Sequence, residues 1–581
     1  MNINSFYPWF KLDTLNGFIV LAIGLFSILT VIYSLRFIKR QRTQYYTYII
    51  LTAVASCGAV LSNNLIVLLV LWGFLGLTLY LLINMGDENG RAAAKKTFII
   101  VGGSDALMLL GICLIYYLTN TFQMDKIQIS LTTNYYLLPT LAYLCIAIAC
   151  FAKAGAMPMH SWIPDCAESA PVPVVAYLPA SLDKLLGIYL LARISLNLFV
   201  MNEAMNIFLM LVGAFTIIAA VMMALVQHNM KRLLGYHAVS QVGYMVLGIG
   251  TGNPIGIAGG IFHMLNHAIY KSCLFLTAGN VEYRTKTPEL DELGGLARLM
   301  PITYISCLIA SLSISGVPPF NGFVSKWMVY QGLIQYATSS TLQATRLISL
   351  ICLVAAMFGS GLTLASFMKL IHATFLGQPA NRQIPNEANL RRNSSGSRSD
   401  AREVTTFGTG KPVNEVSWTM WLPAVILAAI CVVFGVFAQA VPLKYFILPA
   451  VGGTTLTGTW YSGLATLLII IGLVLGVIIF KLKGLKPVLR EDKAFVGGEA
   501  IDLDVSPVTG TEFYNTIKEL GILRAVYKKA EAGLFDIYEQ GKKFTFSLSG
   551  IFQYLHNGIL STYLVWILLG MIGLFLGLLF R

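Results

Sequence analysis

The sequence has 581 residues, of which 56% are hydrophobic and 12% are charged. So few charges cannot cover a soluble surface of this size, which excludes a soluble globular class and predicts an all-α, polytopic membrane protein in contact with lipid. The net charge of +13 does not predict nucleic-acid binding, because the Lys and Arg residues lie mostly in short loops and form no continuous basic stripe.

A helix that crosses the roughly 30 Å hydrocarbon core needs about 20 apolar residues, and about fourteen such segments occur. The first lies at 14–37, in an N-terminal region 1–46, and its basic flank follows it, which predicts a retained helix rather than a signal peptide. Basic residues follow the first and third spans, whereas the neutral pair Asn63-Asn64 follows the second. The positive-inside rule therefore places the N-terminus outside. The basic residues are Arg36, Lys39, Arg40, Arg42, Arg91, Lys95 and Lys96.

Two groups of five predicted spans follow, in regions 47–198 and 199–376. The predicted spans are 47–63, 65–85, 97–118, 137–168 and 172–198, then 205–226, 234–250, 255–280, 301–337 and 346–375. Because five is odd, the second group starts from the opposite side of the membrane, so the two groups form inverted repeats.

The fourth span of each group is overlong and interrupted. Gly155 and Pro158 break the first, and Pro318 and Pro319 break the second. The frequency of Pro and Gly in membrane helices could explain either break alone. Breaks at matching positions are typical of a transporter repeat.

The remaining chain divides into four regions. Residues 377–416 are polar and rich in Gly and Ser, which predicts a mobile surface loop. Two further spans are predicted in 417–480, an amphipathic lateral segment in 481–558 and a C-terminal anchor helix in 559–581. Within 513–556, apolar and basic residues recur at helical spacing, which predicts an amphipathic helix lying along the membrane or a partner. These residues are Ile517, Leu520, Leu523 and Val526, beside Lys518, Arg524, Lys528 and Lys529.

The apolar spans contain the lysines Lys153, Lys184 and Lys326. Lys153 is two residues before the first break, and Lys326 is seven residues after Pro319 in the corresponding broken helix. A lysine ionised at the bilayer centre costs at least about 2.5–3.5 kcal/mol, so each is expected to face the bundle interior, water or a counter-charge. The alternative for Lys153 is snorkelling to the interface. Lys184 is adjacent to Asp183, and neighbours on a helix point to different faces, so the two are expected to find separate partners.

One segment places three titratable groups in register. His263, His267 and Lys271 are spaced at i, i+4 and i+8 and so share one helix face. A lone histidine would most often be a satisfied core residue, but three such groups in an apolar span predict a proton wire. The nine cysteines are scattered without a CxxC motif, which argues against a metal, an iron–sulfur cluster or a disulfide framework in this chain.

Four motifs resemble those of the antiporter-like subunits of respiratory complex I, membrane-bound energy-converting hydrogenases of group 4 and Mrp-type cation/proton antiporters. The resemblance covers about residues 14–376. The motifs are MPMHSWIPDCAESAPVPV (157–174), KRLLGYHAVSQVGYMVLGIG (231–250), HMLNHAIYKSCLFLTAGNV (263–281) and SGVPPFNGFVSKWM (315–328).

The resemblance implies a path of half-channels for protons. Lys153 would be the input lysine, Lys271 with His263 and His267 the central connection, and Lys326 the output lysine; Lys184 matches a lysine of only some such subunits. It also implies a prokaryotic-type cytoplasmic (inner) membrane and other membrane-arm subunits as partners. Peripheral redox subunits would carry iron–sulfur clusters and, in the hydrogenases, NiFe, with no cofactor in this chain.

The sequence departs from the family pattern in two places. The family usually has two more helices before the first span. Its input carboxylate lies in a WEG-like motif, whereas this chain has Trp72-Gly73-Phe74 and no Asp or Glu from Asn63 to Gly86. Asp105, in the next apolar segment, is the nearest candidate for a replacement.

The predicted function is therefore a proton-translocating subunit of a redox-driven ion pump that performs no bond chemistry itself. One alternative is a non-translocating scaffold of the membrane arm. Another is an Mrp-type Na⁺/H⁺ antiporter subunit that uses the same lysines.

Overall fold

The structure is a computed structural model, which describes residues 9–131, 137–377, 406–407, 411–452, 462–482, 511 and 515–579. Most of the polar loop predicted at 377–416, namely 378–405 and 408–410, lies outside the described residues. The same is true of 483–510 in the predicted lateral segment. The mobility of that loop therefore stays a prediction.

The described chain is almost entirely helical. The α-helices of more than three residues up to residue 482 are α1 (Thr14–Phe37), α2 (Arg42–Leu61), α3 (Leu65–Ile83), α4 (Glu88–Thr119), α5 (Leu137–Ala154), α6 (Trp162–Ser169), α7 (Val172–Tyr177), α8 (Asp183–Arg193), α9 (Glu203–Leu225), α10 (Met230–Gly250), α11 (Pro254–Thr285), α12 (Pro301–Ser315), α13 (Asn321–Ser339), α14 (Gln343–Ile371), α15 (Trp418–Val436) and α16 (Ser462–Leu482). Stretches of π-helix extend several of them, at Leu178–Leu182, Ile194–Leu198, His372–Leu376 and Gln439–Ile447. Two short strands pair in parallel, β1 (Ile129–Ser130) with β2 (Phe199–Val200), and two antiparallel, β3 (Thr406–Phe407) with β4 (Lys411–Pro412).

Ten helices in the described ranges are long and apolar enough to cross a membrane. Of the fourteen predicted spans, the four outside this set correspond to α10, α11, the broken pair α12–α13, and α16. Nearly every residue of α10 and α11 is buried. Because other helices surround α10 and α11, their side chains need not be apolar, and these two helices carry several of the polar residues described below.

The two five-helix groups run in opposite directions. The N-terminal face is defined here by Trp9, Asn63, Met124 and the β1–β2 pair, which backbone hydrogen bonds join: Asn63 donates to the Trp9 carbonyl and Met124 to the Asn63 carbonyl, each over 2.8 Å. Helix α2 ends at this face, whereas α9 begins there, directly after β2. The first group therefore starts at the opposite face and the second at the N-terminal face.

Both predicted helix breaks are present. Helix α5 ends at Ala154, and the chain turns at Gly155 with φ of +82° before α6 begins. Helix α12 ends at Ser315, and Gly316 follows with φ of +80° before α13. Glycine has no Cβ and adopts this left-handed conformation at little cost, so each glycine ends its helix where the chain would otherwise continue.

Helices α9 and α10 pack with their backbones in close contact. A Cβ atom on Gly243 would lie 2.5 Å from the Gly213 carbonyl oxygen and 2.8 Å from the Ile217 nitrogen. Small residues at such positions let membrane helices approach closely, as lipid gives helices no hydrophobic reason to associate.

Replacing Gly243 with alanine should therefore lower the thermal stability of the detergent-solubilised protein, since the backbone of α9 would have to move. Gly103→Ala in α4 is the matched control, because a Cβ there meets nothing within 4 Å. Alanine is a better helix former than glycine by about 1 kcal/mol, so the control should be neutral or stabilising. Equal melting temperatures for the two variants would contradict this packing.

Residues 519–579 form a second compact unit. It contains α18 (Gly521–Glu531), α19 (Ile537–Leu555) and α20 (Leu560–Leu579), and α17 (Asn515–Glu519) precedes it. The lateral segment predicted within 513–556 is helical as expected but is divided between α17, α18 and α19. Gly533, with φ of +72°, lies between α18 and α19. The predicted anchor is α20, which is one of the ten candidate spans.

Candidate functional site

Six titratable residues singled out in the sequence are buried inside the bundle. Lys153, Lys184, His263, His267 and Lys271 are 0% exposed, and Lys326 is 1% exposed. They come from four helices: α5, α8, α11 and α13. The burial of Lys153 disagrees with the alternative that it snorkels to the interface. Burying six such side chains is costly, so the arrangement calls for a functional reason.

Lys153 lies next to a carboxylate that sequence analysis did not assign to it. Its Nζ is 3.7 Å from Asp183 Oδ1, an ion pair longer than a hydrogen bond, and 5.5 Å from the centroid of the Trp72 ring. Both side chains of the ion pair are at most 2% exposed. Asp183 is thus the counter-charge of Lys153, while the adjacent Lys184 points elsewhere, as the helix geometry predicted.

A lysine amine lies at each helix break. A Cβ atom on Gly155 would lie 3.4 Å from Lys184 Nζ, and one on Gly316 would lie 3.8 Å from Lys326 Nζ. Lys326 Nζ donates a 2.8 Å hydrogen bond to the carbonyl of Ile314, near the end of α12. The last carbonyls of a helix lack intrahelical partners and carry partial negative charge, so the break itself provides a site for a cation.

The titratable face of α11 connects the two breaks. His263 shares hydrogen bonds with Ser325 Oγ (2.9 Å), Gln241 Oε1 (3.2 Å) and the Tyr270 hydroxyl (3.2 Å). Because Ser325 precedes Lys326, His263 reaches the second break. At the other end of this face, Lys184 is near enough to His267 and Lys271 for its positive charge to interact electrostatically with both side chains.

The six buried lysines and histidines are called the row here. Several polar atoms of the row and of Asp183 have no hydrogen-bond partner among the described residues. They are Lys153 Nζ, Asp183 Oδ2, Lys184 Nζ, both ring nitrogens of His267 and Lys271 Nζ. A buried polar group without a partner costs about 1–3 kcal/mol, and internal water commonly satisfies such groups. The row can therefore hold a proton at several successive sites and pass it through water between them.

Asp105 lies on α4 beside α3. Its Oδ1 is buried without a hydrogen-bond partner among the described residues, and its Oδ2 would be 3.7 Å from a Cβ atom on Gly76. The positive charge of Lys153 acts on this carboxylate. A Cβ atom on Gly73, in the Trp72-Gly73-Phe74 stretch of α3, would meet no other atom within 4 Å. A carboxylate therefore lies next to α3, although α3 itself has none.

A polar cavity of about 290 Å³ opens near the N-terminal face, beside α8. Its lining includes Lys11, Asp13, Asp125 and Arg193. Arg193 Nη1 is 2.7 Å from Asp13 Oδ2. Burial alone would raise the pKa of Asp13. The hydrogen bond with Arg193 and the positive charge of Arg193 outweigh burial and lower this pKa from its usual value of 3.8. The ion pair is therefore charged at neutral pH and keeps a polar opening next to the helix that carries Asp183 and Lys184.

Sequence analysis missed the neutral residues that hold the row. Gln241, Ser325, Tyr270 and Tyr244 all touch His263 or Lys326, the last with its ring centroid 4.6 Å from Lys326 Nζ. The available signal was a polar residue in an apolar span, such as Gln241 in KRLLGYHAVSQ, but such residues also stabilise structural contacts.

Comparison with known proteins gives one family match and several similar proteins. A family model described as NADH:quinone oxidoreductase/Mrp antiporter, transmembrane, matches residues 62–352. The Na⁺/H⁺ antiporter subunit A1 of Staphylococcus epidermidis is 31% identical over 428 residues, which cover 70% of this chain and 50% of that protein. The chain thus spans about half the length of the curated relatives it matches.

Two solved structures share the fold. A chain of the membrane-bound sulfane sulfur reductase, an archaeal respiratory membrane complex, has a TM-score of 0.76 at 22% identity, covering 97% of this chain and 89% of that one. A chain of the Mrp complex from a Dietzia species has a TM-score of 0.64 at 23% identity, covering 76% of this chain and 83% of that one.

Proposed function

Because this chain belongs to the NADH:quinone oxidoreductase/Mrp antiporter transmembrane family, we propose that it is the proton-conducting, antiporter-type subunit of a multi-subunit membrane complex. One observation carries the proposal: the buried row of lysines and histidines joins the two helix breaks. Lysine and histidine side chains carry the proton, so this role needs no metal or redox cofactor in the chain.

Protons would move along the row in short steps. Lys153, stabilised by Asp183, accepts a proton and passes it to Lys184 at the first break. From there the proton reaches Lys271 and His267 on α11, then His263, and finally Lys326 at the second break. Each lysine must be neutral before it can accept, and repulsion between neighbouring positive charges moves the proton forward.

The curated relatives favour Na⁺/H⁺ exchange over the redox-driven pump that sequence analysis put first. We therefore propose that protons move through this chain in exchange for Na⁺. The redox-driven pump, with peripheral redox subunits as partners, remains the second candidate, since the fold likeness to the archaeal respiratory complex extends over 97% of the chain. A scaffold that conducts no ions would not need six buried titratable residues, whose burial is costly.

Proton movement in liposomes containing the purified complex separates these candidates. A Na⁺ gradient is imposed without any electron donor, and a dye inside the vesicles reports pH. Exchange predicts a pH change that follows the Na⁺ gradient and is absent with choline. A pH change that requires an electron donor and acceptor would support the redox-driven pump, and no pH change under either condition would support the scaffold.

We also propose that the N-terminal face lies outside the cytoplasm. The basic residues concentrate near the opposite face, as the positive-inside rule requires of a cytoplasmic face. Those near the opposite face include Lys39, Arg40, Arg91, Lys95, Lys96, Lys231, Arg232, Lys286 and Arg298, against Lys11, Lys126, Arg193, Arg346 and Lys444 near the N-terminal face.

Thiol labelling tests this orientation. Lys126→Cys at the N-terminal face and Lys286→Cys at the opposite face replace exposed lysines. A membrane-impermeant maleimide should label Lys126→Cys in intact cells and Lys286→Cys only after lysis, each measured against the unsubstituted protein. The reverse pattern would invert the proposed topology.

A further inference from the structure

A second set of buried polar groups connects α10 with α14. His237 on α10 is 0% exposed, and its Nε2 shares a 2.7 Å hydrogen bond with Ser366 Oγ on α14. Lys369 lies three residues further along α14, on the same helix face. Its Nζ donates to the carbonyls of Leu225 and Gln227, over 2.6 and 2.8 Å. None of His237, Ser366 and Lys369 belongs to the row that joins the two breaks.

The inner end of this set meets that row. The Phe367 ring lies 4.7 Å from the His237 ring, and Lys271 Nζ is 5.6 Å from the Phe367 ring centroid. His237 and Lys271 therefore contact the same aromatic side chain. His237 Nδ1 and Lys271 Nζ are both buried without a hydrogen-bond partner among the described residues. A histidine with a purely structural role would be expected to form hydrogen bonds through both ring nitrogens. His237 uses only Nε2 in this way, so Nδ1 is available for proton exchange.

The outer end reaches the surface opposite the N-terminal face. Leu225 and Gln227 lie at the end of α9, and the next residue, His228, is 2.7 Å from Asp291. These two side chains are 41% and 38% exposed. The negative charge of Asp291 acts on Lys369. Polar groups therefore lie at intervals between the middle of α11 and the water at this surface.

We propose that His237, Ser366 and Lys369 form a branch through which Lys271 exchanges protons with the compartment opposite the N-terminal face, without using Lys153. Lys369 takes a proton from water beside His228 and Asp291. The Ser366 hydroxyl accepts one proton and gives up another to His237, which passes it to Lys271. This inference rests on the proposed proton-conducting function.

The structural alternative is that Lys369 only caps the last carbonyls of α9. Arginine separates the two roles, because a guanidinium offers five donors for such carbonyls but does not release its proton in proteins. Lys369→Arg should thus keep a cap and stop a proton relay.

The test uses the assembled complex in liposomes with Lys153→Ala as the parent, so that the first half-channel is blocked. We expect this parent to retain part of the wild-type transport through the branch. Adding Ser366→Ala or Lys369→Arg should lower the remaining initial rate at least about a hundredfold, the lower end of the range expected for loss of a proton-transfer group. Adding Lys286→Ala, an exposed lysine near the same face, should leave it unchanged.

Three results would overturn the branch. The first is a Lys153→Ala parent with no transport. The second is a parental rate in both the Ser366→Ala and Lys369→Arg variants. The third is a loss of transport in Lys369→Met that Lys369→Arg restores, which would identify Lys369 as a cap alone. Failure of the proposed function looks different, since Lys271→Ala and Lys326→Ala would then transport at the wild-type rate.

Discussion

Replacing Lys326 with alanine should abolish proton movement by the assembled complex, with initial rates at least about a hundredfold below wild type, as expected when an essential proton carrier is removed. Lys326 Nζ lies at the second break and donates a hydrogen bond to the Ile314 carbonyl, and the side chain of the preceding residue, Ser325, is hydrogen-bonded to His263. Without this amine, the row on α11 has no titratable group at the break to receive its proton. The measurement is the initial rate of pH change in liposomes under a Na⁺ gradient.

Two further variants guard against a folding artefact. Lys326→Met keeps an unbranched side chain of similar length in the buried site, so it should assemble normally and still not transport. Lys126→Ala removes an exposed lysine near the N-terminal face and should transport normally. Wild-type rates in both Lys326 variants would show that protons do not pass through the second break.

Replacing Asp183 with asparagine should both destabilise the protein and slow transport about tenfold, to the rate of Lys153→Ala and no further. Removing one member of a buried ion pair leaves the other charge uncompensated, at a cost of about 3–5 kcal/mol unless that group becomes neutral. Lys153 would then hold a proton poorly. The measurements are the thermal stability of the solubilised complex and its initial rate of proton movement.

The double variant Lys153→Met with Asp183→Asn separates the two effects. It removes both charges, so stability should recover while transport stays slow. A double variant as unstable as Asp183→Asn alone would show that the two side chains do not act as a pair.

Asp105 was the replacement carboxylate expected from sequence, and its role stays a prediction. Asp105 interacts electrostatically with the positive charge of Lys153, but the ion pair of Lys153 is with Asp183. Asp105→Asn should therefore slow transport less than Asp183→Asn does. A larger effect at Asp105 would make it the principal partner of Lys153.

Local sequence was sufficient to predict the two helix breaks and the titratable face of α11. Proline and glycine act on their own backbone, so Gly155 and Pro318 mark breaks without knowledge of the fold. The spacing of His263, His267 and Lys271 likewise fixes their common face within one helix. Because burying a charge in a membrane is costly, the lysines inside apolar spans could be predicted as functional from sequence alone.

Contacts between distant segments could not be predicted in this way. Lys153 and Asp183 belong to different helices, and only packing brings their side chains within 3.7 Å. The hydrogen bond between His237 and Ser366 joins residues 129 positions apart. The division of the lateral segment at Gly533 was also missed, because α19 runs without a break through Gly541 and Gly550, and glycine spacing alone does not show which glycine ends a helix.

The most direct test of the account is proton movement by a complex that carries Lys271→Ala, because Lys271 connects the two halves of the pathway. Under an imposed Na⁺ gradient in liposomes, the wild-type complex should change the internal pH, and the assembled Lys271→Ala complex should not. The same pH change in both complexes would contradict conduction through the buried row.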